Sequence, residues 1–185
     1  MEIRTTELAG LLVIEPKVFC DSRGYFFESW SKARYEEAGI ACNFVQDNES
    51  RSSYGVVRGL HWQAAPYAQA KLLRVVLGTI LDVAVDIRRG SPTFGRHLAL
   101  ELSCENKRQL FIPKGFAHGF AVLSPEALLL YKCDAPYAPK AERGMRCDDP
   151  ALGIDWRVPP ERWIRSERDL RHPLLKDIEP LEGCP

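Results

Sequence analysis

The segment Arg58–Gln63 places several chemically capable side chains close together. It reads Arg-Gly-Leu-His-Trp-Gln, so a guanidinium, an imidazole and an amide stand beside an apolar, strand-like run. A neutral imidazole, with a pKa of about 6.5, can take up a proton at neutral pH. A single histidine on such a run is also often a core residue with a satisfied hydrogen bond. The segment alone therefore leaves both catalysis and packing open for His61.

Three further polar residues lie on or beside strand-like runs: Lys71, His118 and Tyr131. Each has a purely structural explanation. His118 could bond a neighbouring carbonyl, Lys71 could extend its ammonium to water, and Tyr131 could be a core aromatic with its hydroxyl at the rim. In a small barrel, however, alternate strand residues face the interior, where unpartnered polar groups are costly. Together with His61, these residues predict a polar site inside the fold.

Short strand-like runs separated by turn residues make up most of the chain before residue 160. The runs 72–77 and 80–87 form the strongest candidate strand pair, and the second has apolar residues at every other position, as expected for one buried face. With no βαβ alternation, this spacing favours an all-β sandwich or barrel, most economically a jelly roll. Further strands are predicted at 11–14, 44–46, 56–58, 97–102, 109–112, 117–123 and 127–132.

Other segments read differently. Residues 20–24 predict the turn of a hairpin, and Ser31 is expected to cap a short helix over 32–38 that Gly39 ends. The polar segment 47–53 is expected to be a loop. After Pro159 and Pro160 the composition is charged and compatible with a helix packed across the barrel.

Composition limits the class of protein. The 185 residues are 45% hydrophobic, enough for a single domain spanning 1–185. Lys plus Arg and Asp plus Glu each total 25, so no strong net field would recruit nucleic acid or an anionic membrane. The N-terminal residues do not resemble a signal peptide, and no long apolar run is present, so we expect a soluble, cytoplasmic protein. The six cysteines form no C-x-x-C pair and are expected to be free thiols.

A metal site is the main alternative to metal-free acid/base chemistry. A β-barrel metal centre typically needs two nearby histidines, a carboxylate and a further histidine. Here Gln63 stands where a second ligand would follow His61, and the strand-edge and tail histidines are not expected to converge with it. The four histidines are at 61, 97, 118 and 172. We therefore expect no metal and no other cofactor.

Five separated motifs resemble the dTDP-4-dehydrorhamnose 3,5-epimerase family, over nearly the whole chain and in the family's order. The motifs are residues 21–28 (DSRGYFFE), 46–48 (QDN), 58–63 (RGLHWQ), 91–95 (SPTFG) and 115–120 (GFAHGF). The resemblance implies a cupin-type jelly roll with a few short helices, a homodimer, no metal, and a dTDP-linked 4-keto-6-deoxy sugar as substrate. The implied reaction inverts C3 and C5 of the sugar in dTDP-L-rhamnose biosynthesis.

The same resemblance implies catalytic roles. His61 would be the base, Asp169 the carboxylate that orients it, Lys71 the cation beside the enolate oxygen, and Tyr131 the acid on the opposite face. These groups match the chemistry, because hydrogens next to a ketone are acidified by the carbonyl and their removal leaves an enolate. Ser166-x-x-Asp169 is also a capping pattern that could merely start a helix.

The resemblance also implies substrate contacts. Arg58 and Arg168 would grip the diphosphate, and Phe26 and Tyr137 would stack on the base, although both aromatics could be core residues. The remaining expected contacts are Arg23, Glu28, Gln46, Asp47, Asn48, His118 and Glu142, with Arg23 and Glu28 reaching across the dimer. From the residues themselves, Asp82 is expected to hold Lys71 or His61 in place.

The chain departs from the family pattern at two places that do not touch the proposed chemistry. Residues 145–150 lack an expected tryptophan, and Trp62 stands where tyrosine is common. Three alternatives stay open: an epimerase that acts at C3 or C5 only, a metal-dependent cupin oxygenase or isomerase, and a non-catalytic sugar-nucleotide binding module.

Overall fold

The structure, a computed structural model, describes residues 1–182. Within this range it has thirteen β-strands, one α-helix and three short 3₁₀ helices. The strands are β1 (Glu2–Thr5), β2 (Leu12–Glu15), β3 (Phe19–Asp21), β4 (Gly24–Phe26), β5 (Gln46–Ser53), β6 (Val57–Gln63), β7 (Lys71–Leu77), β8 (Thr79–Asp86), β9 (His97–Ser103), β10 (Gln109–Ile112), β11 (Phe116–Val122), β12 (Glu126–Cys133) and β13 (Glu142–Gly144). Helix α1 is Lys32–Glu37, and the 3₁₀ helices are Pro160–Arg162, Asp169–Arg171 and Leu175–Asp177.

Eleven of these strands form two antiparallel sheets. The six-stranded sheet has the order β1-β2-β10-β7-β12-β5, and the five-stranded sheet has the order β13-β6-β11-β8-β9. Strands β3 and β4 form a separate hairpin. The two-sheet arrangement confirms the all-β, cupin-type jelly roll expected from the sequence.

Three apolar clusters hold these layers together. The first lies between the sheets and includes Leu73, Phe120 and Leu129. The second covers the outer face of the five-stranded sheet with residues that follow β13, including Trp156, which is 2% exposed. The third packs α1, through Tyr35, on the outer face of the six-stranded sheet. Because both faces of β8 are buried, the expectation of one buried face for that strand was wrong.

The pairing of the runs 72–77 and 80–87 was also wrong. Both are strands, but β7 lies in the six-stranded sheet and β8 in the five-stranded one. Gly78 forms the corner between them at φ +75°, and a Cβ there would lie 2.0 Å from the Glu126 carbonyl oxygen. The chain therefore crosses from one sheet to the other instead of turning back as a hairpin.

The segment 47–53, expected to be a loop, belongs to strand β5. It pairs with β12 along its whole length, from Gln46↔Cys133 to Ser53↔Glu126. Strand β5 is an edge strand beside a polar cleft, so polar side chains on both of its faces remain solvated or paired. The polar composition of 47–53 predicted a loop because buried strands need an apolar face, but an edge strand beside a polar cleft does not need one.

The helical expectations are partly confirmed. Helix α1 lies where predicted, and Gly39 follows it at φ +87°, but the Ser31 side chain makes no capping hydrogen bond. The segment after Pro160 does pack across the sandwich, yet within the described residues it contains only single 3₁₀ turns. Pro160, Pro173 and Pro180 interrupt any longer helix there.

Two smaller predictions concern the cysteines and membranes. The five cysteines in the described part of the chain are free thiols, while Cys184 lies outside it. None of the helices over residues 1–182 is both long and apolar enough to cross a bilayer.

Candidate functional site

A polar cleft opens between the two sheets and contains most of the predicted site residues. One part, of about 550 Å³, is lined by residues that include Arg58, His118 and Asp169. An adjoining part of about 390 Å³ is lined by residues that include Gln46, Asn48, Tyr137 and Glu142. Both parts share three wall residues, His61, Lys71 and Tyr131.

Strand alternation explains how the six-stranded sheet contributes to the cleft. On β7, Lys71 follows the same inward row as Leu73 and Val75, which belong to the core between the sheets. On β12, Tyr131 continues the row of Leu129 in the same core. A period of two therefore places an amine and a phenol where each apolar row reaches the cleft.

A break in strand regularity explains how β6 contributes two functional groups. Arg58 and His61 are three residues apart, so in a regular strand they would face opposite sides, yet both line the cleft. Between them Gly59 has φ +109°, and the pairing of β6 with β11 shifts register beside it. A Cβ on Gly59 would lie 2.6 Å from Cα of Gly119, so only glycine permits this approach of the two strands.

His61 and Asp169 form a dyad at the floor of the cleft. Nε2 of His61 lies 2.6 Å from Oδ1 of Asp169, whose side chain is only 6% exposed. Burial alone would raise the pKa of Asp169, but the His61 hydrogen bond and charge and a hydrogen bond from Ser166 hold it below its usual value. An ionised Asp169 accepts a hydrogen bond from Nε2–H and leaves Nδ1 as the basic nitrogen of His61.

The pattern Ser166-x-x-Asp169 does not form the expected cap, because the N-cap of the 3₁₀ helix is Arg168 and makes no side-chain capping bond. Ser166 Oγ accepts a hydrogen bond from the Asp169 amide at 3.1 Å, at the start of the 3₁₀ helix Asp169–Arg171. The serine therefore holds the Asp169 amide from outside the helix, and the turn presents the carboxylate to His61.

A second histidine, His172, lies beside the dyad. Its ring centroid is 5.5 Å from that of His61, and its Nε2 is 3.8 Å from Oδ1 of Asp169. Burial, and then the neighbouring His61, lower the pKa of His172. The expectation that the tail histidine does not converge with His61 was therefore wrong. His118, a predicted site residue, also lies beside His61 as its register partner on β11.

Lys71 and Tyr131 are both shifted by burial. Burial lowers the pKa of the Lys71 ammonium, and nearby Cys133, Asp82 and Glu142 oppose this only in part. Burial likewise raises the pKa of Tyr131, so its phenol stays protonated. Among residues 1–182, Lys71 has no ion-pair partner within 4.0 Å. A bound anion would therefore supply the paired negative charge that no described side chain gives this ammonium.

Asp82 holds His118, not Lys71 or His61 as expected. Its Oδ2 and Oδ1 atoms are 2.9 and 3.1 Å from Nε2 of His118, and the Asp82 side chain is fully buried. Its charge still reaches Lys71, where it raises the pKa of the ammonium. The Asp82 carboxylate therefore holds His118 by hydrogen bonds and affects Lys71 only through its charge.

Glu142, Arg168 and Tyr137 form a polar group at the rim. Glu142 accepts hydrogen bonds from the Tyr137 hydroxyl and from Nη1 of Arg168, the latter at 2.8 Å. Although burial would raise the pKa of Glu142, these partners lower it below its usual value. Glu142 is therefore an anion that positions Arg168 beside the cleft.

Strand β5 divides its predicted residues between two faces. Gln46 and Asn48 line the cleft and are joined by a 2.9 Å hydrogen bond. Asp47 points to the other face, where it pairs with Lys132 at 2.6 Å. Within a single chain, Asp47 is therefore separated from the rest of the predicted site.

The β3–β4 hairpin also lies outside the cleft of its own chain. The Arg23 side chain is 88% exposed and pairs with Asp21, and Phe26 is 70% exposed. Glu28, just after the hairpin, pairs with Arg34 at 3.4 Å. None of the three lines the cleft described above.

Sequence reasoning missed the approach of His172 to His61 and gave Gln63 no structural role. His172 is three residues after Asp169, and such residues eclipse on a 3₁₀ helix, a spacing that could have revealed it. Gln63 joins loops: it donates to the Tyr67 carbonyl at 2.7 Å and accepts from the Ala138 amide at 2.7 Å.

Comparison with known proteins identifies close relatives. Residues 5–177 match the family model described as dTDP-4-dehydrorhamnose 3,5-epimerase. The chain is 51% identical over 180 residues to the Shigella flexneri protein of that name, covering 97% of this chain and 98% of the other. A crystal structure of dTDP-6-deoxy-D-glucose-3,5-epimerase from Legionella pneumophila, in complex with dTDP-4-keto-L-rhamnose, superposes with a TM-score of 0.94 at 48% identity and 98% coverage of both chains. A 3'-monoepimerase from Streptomyces bikiniensis, in complex with dTDP-quinovose, has a TM-score of 0.86 at 33% identity, covering 92% of this chain and 86% of the other.

Proposed function

The chain belongs to the dTDP-4-dehydrorhamnose 3,5-epimerase family, and we propose that it inverts C3 and C5 of the sugar with His61 as base and Tyr131 as acid. The enzyme is an isomerase, and its relatives act on dTDP-linked 4-keto sugars. The proposal concerns which residues of this chain carry the chemistry and how they divide the work.

The observation that carries the proposal is the placement of His61 and Tyr131 on different sheets across one cleft. His61 is on β6 of the five-stranded sheet, and Tyr131 is on β12 of the six-stranded sheet. Epimerisation requires a proton to leave one face of a carbon and another to arrive on the opposite face. A pyranose held between these walls meets a base on one side and an acid on the other.

Asp169 and Lys71 support the two charged stages of this cycle. When Nδ1 of His61 takes a proton, the imidazolium that forms is stabilised by Asp169 at 2.6 Å from Nε2. The electrons left behind delocalise onto the O4 oxygen of the sugar. We assign the stabilisation of that oxygen to the Lys71 ammonium. A fixed cation in a water-poor cleft stabilises an enolate more strongly than water does.

The remaining cleft residues suit the nucleotide. Arg58, tied to Ser52 Oγ at 3.1 Å, and Arg168, tied to Glu142, are proposed to hold the diphosphate. Gln46, Asn48 and the exposed ring of Tyr137 are proposed to meet the thymidine end, and His118 the sugar.

We also propose a homodimer in which Arg23, Phe26 and Glu28 reach the partner's cleft. The exposed aromatic surface of the β3–β4 hairpin, with Phe19, Tyr25 and Phe26 all more than half exposed, supports a contact with a second copy. Asp47 would join the site only if the partner or the substrate approaches its face. A single domain over 1–185 and a cytoplasmic location stay predictions.

Reaction at one centre is the second candidate, because a relative with a TM-score of 0.86 is a 3'-monoepimerase. Incubation of dTDP-4-keto-6-deoxyglucose with the enzyme in deuterium oxide, followed by mass spectrometry, distinguishes the two. Two deuterium atoms per sugar are expected for the 3,5-epimerase. One atom would indicate a single-centre enzyme, and none would reduce the protein to a binding module.

A further inference from the structure

Three metal-binding side chains converge where the floor of the cleft, lined by His61 and Asp169, meets a separate pocket lined by His172. One ligand atom each from His61, Asp169 and His172 lies within 4.8 Å of the other two. Oδ1 of Asp169 is 2.6 Å from Nε2 of His61 and 3.8 Å from Nε2 of His172. Both imidazoles therefore direct the same type of nitrogen toward one carboxylate oxygen.

His172 has no role in the proposed reaction, and its Nε2 atom is buried without a hydrogen-bond partner within residues 1–182. Such atoms are rare in folded proteins and call for an explanation. The ring packs on Gly144, where a Cβ would lie 2.4 Å from Nε2, so glycine makes room for the imidazole.

We propose that His61, Asp169 and His172 form an inhibitory site for a divalent transition-metal ion, with Zn²⁺ as the probe. The ion takes the place of the proton between His61 Nε2 and Asp169, and that proton passes through solvent to Nδ1, so the imidazole stays neutral and its basic nitrogen is blocked. No electron transfer is involved. With its carboxylate committed to the ion, the dyad can no longer stabilise the imidazolium, so proton abstraction stops.

The two separations from Asp169 require only small adjustments, and the ligand atoms of His61 and His172 lie within 4.8 Å of each other. Tetrahedral Zn²⁺ with ligands at about 2.0–2.1 Å separates them by roughly 3.3 Å. The observed 2.6 and 3.8 Å separations lie on either side of that value. Two imidazole nitrogens and one carboxylate oxygen suit Zn²⁺, whereas Mg²⁺ and Ca²⁺ prefer oxygen ligands alone.

Direct binding measurements test this site without reference to the reaction. Equilibrium dialysis against Zn²⁺ should give one tightly bound ion per wild-type chain. His172→Ala should weaken that binding at least about 10-fold. Loss of a residue that only hydrogen-bonds to a metal ligand already costs that much, and His172 is proposed to be a ligand itself. His97→Ala removes a histidine outside the cluster and should bind as wild type. Equal binding by His172→Ala and wild type, or no binding by wild type, would overturn the proposal.

A second measurement uses the unaltered protein. With ¹⁵N-labelled histidines, added Zn²⁺ should shift the imidazole nitrogens of His61 and His172 and leave those of His97 unchanged. Shifts confined to other histidines would mark an adventitious ion and refute the site. Deuterium exchange into substrate should fall as Zn²⁺ binds and recover with a chelator; if exchange is absent even without metal, the proposed function fails while the binding result stands.

Discussion

His61 and Asp169 lie 108 residues apart in sequence and 2.6 Å apart in space. The carboxylate comes from a 3₁₀ turn that touches β6 from outside the sheet, and its burial makes the pair sensitive to any change in charge. Because Asp169 accepts a hydrogen bond from Nε2–H, it decides which nitrogen of His61 is basic.

Asp169→Asn should lower the rate of deuterium exchange at both carbons by about 10²- to 10⁴-fold. The amide can donate to Nε2, which favours the wrong imidazole tautomer and removes the ionic support for the imidazolium. Binding of dTDP should stay within a few-fold of wild type. Asp177→Asn, at an exposed carboxylate in the next turn, is the matched control, and an Asp169→Asn enzyme as fast as that control would contradict the assignment.

Tyr131→Phe should separate exchange from inversion. Without the phenol, His61 can still remove a proton, exchange it with deuterium and return it to the same face. Mass spectrometry should therefore show incorporation near the wild-type rate, while NMR of the product shows inversion slowed by about 10²- to 10⁴-fold. Tyr67→Phe, at a ring that is 50% exposed, controls for loss of a hydroxyl. Unchanged inversion in Tyr131→Phe would assign the acid elsewhere.

Lys71→Met should lower kcat by about 10²- to 10³-fold, the usual cost of losing one group that stabilises an oxyanion. The pKa of Lys71 is lowered by burial, so the charged amine is lost as pH rises through that lowered value. Wild-type activity should therefore decline on the alkaline side, and the variant should lack this decline. Lys132→Met, on the opposite face of β12, should keep the wild-type pH profile. If activity in Lys71→Met declined with pH as it does in the wild type, Lys71 would be excluded as the source of that decline.

Asp86 should contribute to stability only above its lowered pKa. Burial opposes ionisation, but hydrogen bonds from Arg88, Thr93 and Ser91 bring the pKa of Asp86 from 3.8 to about 2. The stabilisation, roughly 2 kcal/mol, is fully present above pH of about 4 and is lost as pH falls toward about 2. Urea unfolding across this range should show a steeper loss for wild type than for Asp86→Asn. Parallel curves would show that the network does not carry the acid sensitivity.

Gly59→Ala should disturb both stability and activity. The new Cβ would lie 2.6 Å from Cα of Gly119 at φ +109°, so we expect a loss of about 1–3 kcal/mol in the free energy of unfolding. Gly90→Ala has φ +75° but meets nothing within 4 Å, and it isolates the backbone cost from the steric one. Equal destabilisation by both changes would mean that the β6–β11 approach tolerates a side chain.

Periodicity and turn residues predicted most strands but not their partners. β9 and β10 were found from local pattern alone, whereas the separation of β7 from β8 depends on a corner at Gly78 whose crowding comes from distant Glu126. The strand character of β5 was hidden because an edge strand facing a cleft can be polar on both sides. Local sequence does not contain these long-range conditions.

In the candidate site, too, the sequence predicted individual residues but not the contacts between distant ones. His61, Lys71 and Tyr131 could be chosen because polar groups on apolar runs need a reason, and the family resemblance assigned their roles. The partner of Asp82 could not be predicted, since it depends on the register of β8 against β11, where His118 lies opposite Ala84 and Phe120 opposite Asp82. His172 was overlooked because its contact with His61 depends on the 3₁₀ turn Asp169–Arg171, whereas the composition of this segment predicted a longer helix.

The dyad has a consequence for synthesis and turnover of the enzyme. His61, Lys71 and Tyr131 leave the ribosome on sheet strands well before Asp169 emerges, so a nascent chain with a complete sheet pair still lacks its carboxylate. Likewise, a protease that cuts within the exposed stretch at 161–162 would disconnect Asp169 from the sheets covalently while leaving every sheet strand intact. The enzyme should therefore gain its activity last during synthesis and lose it first during degradation.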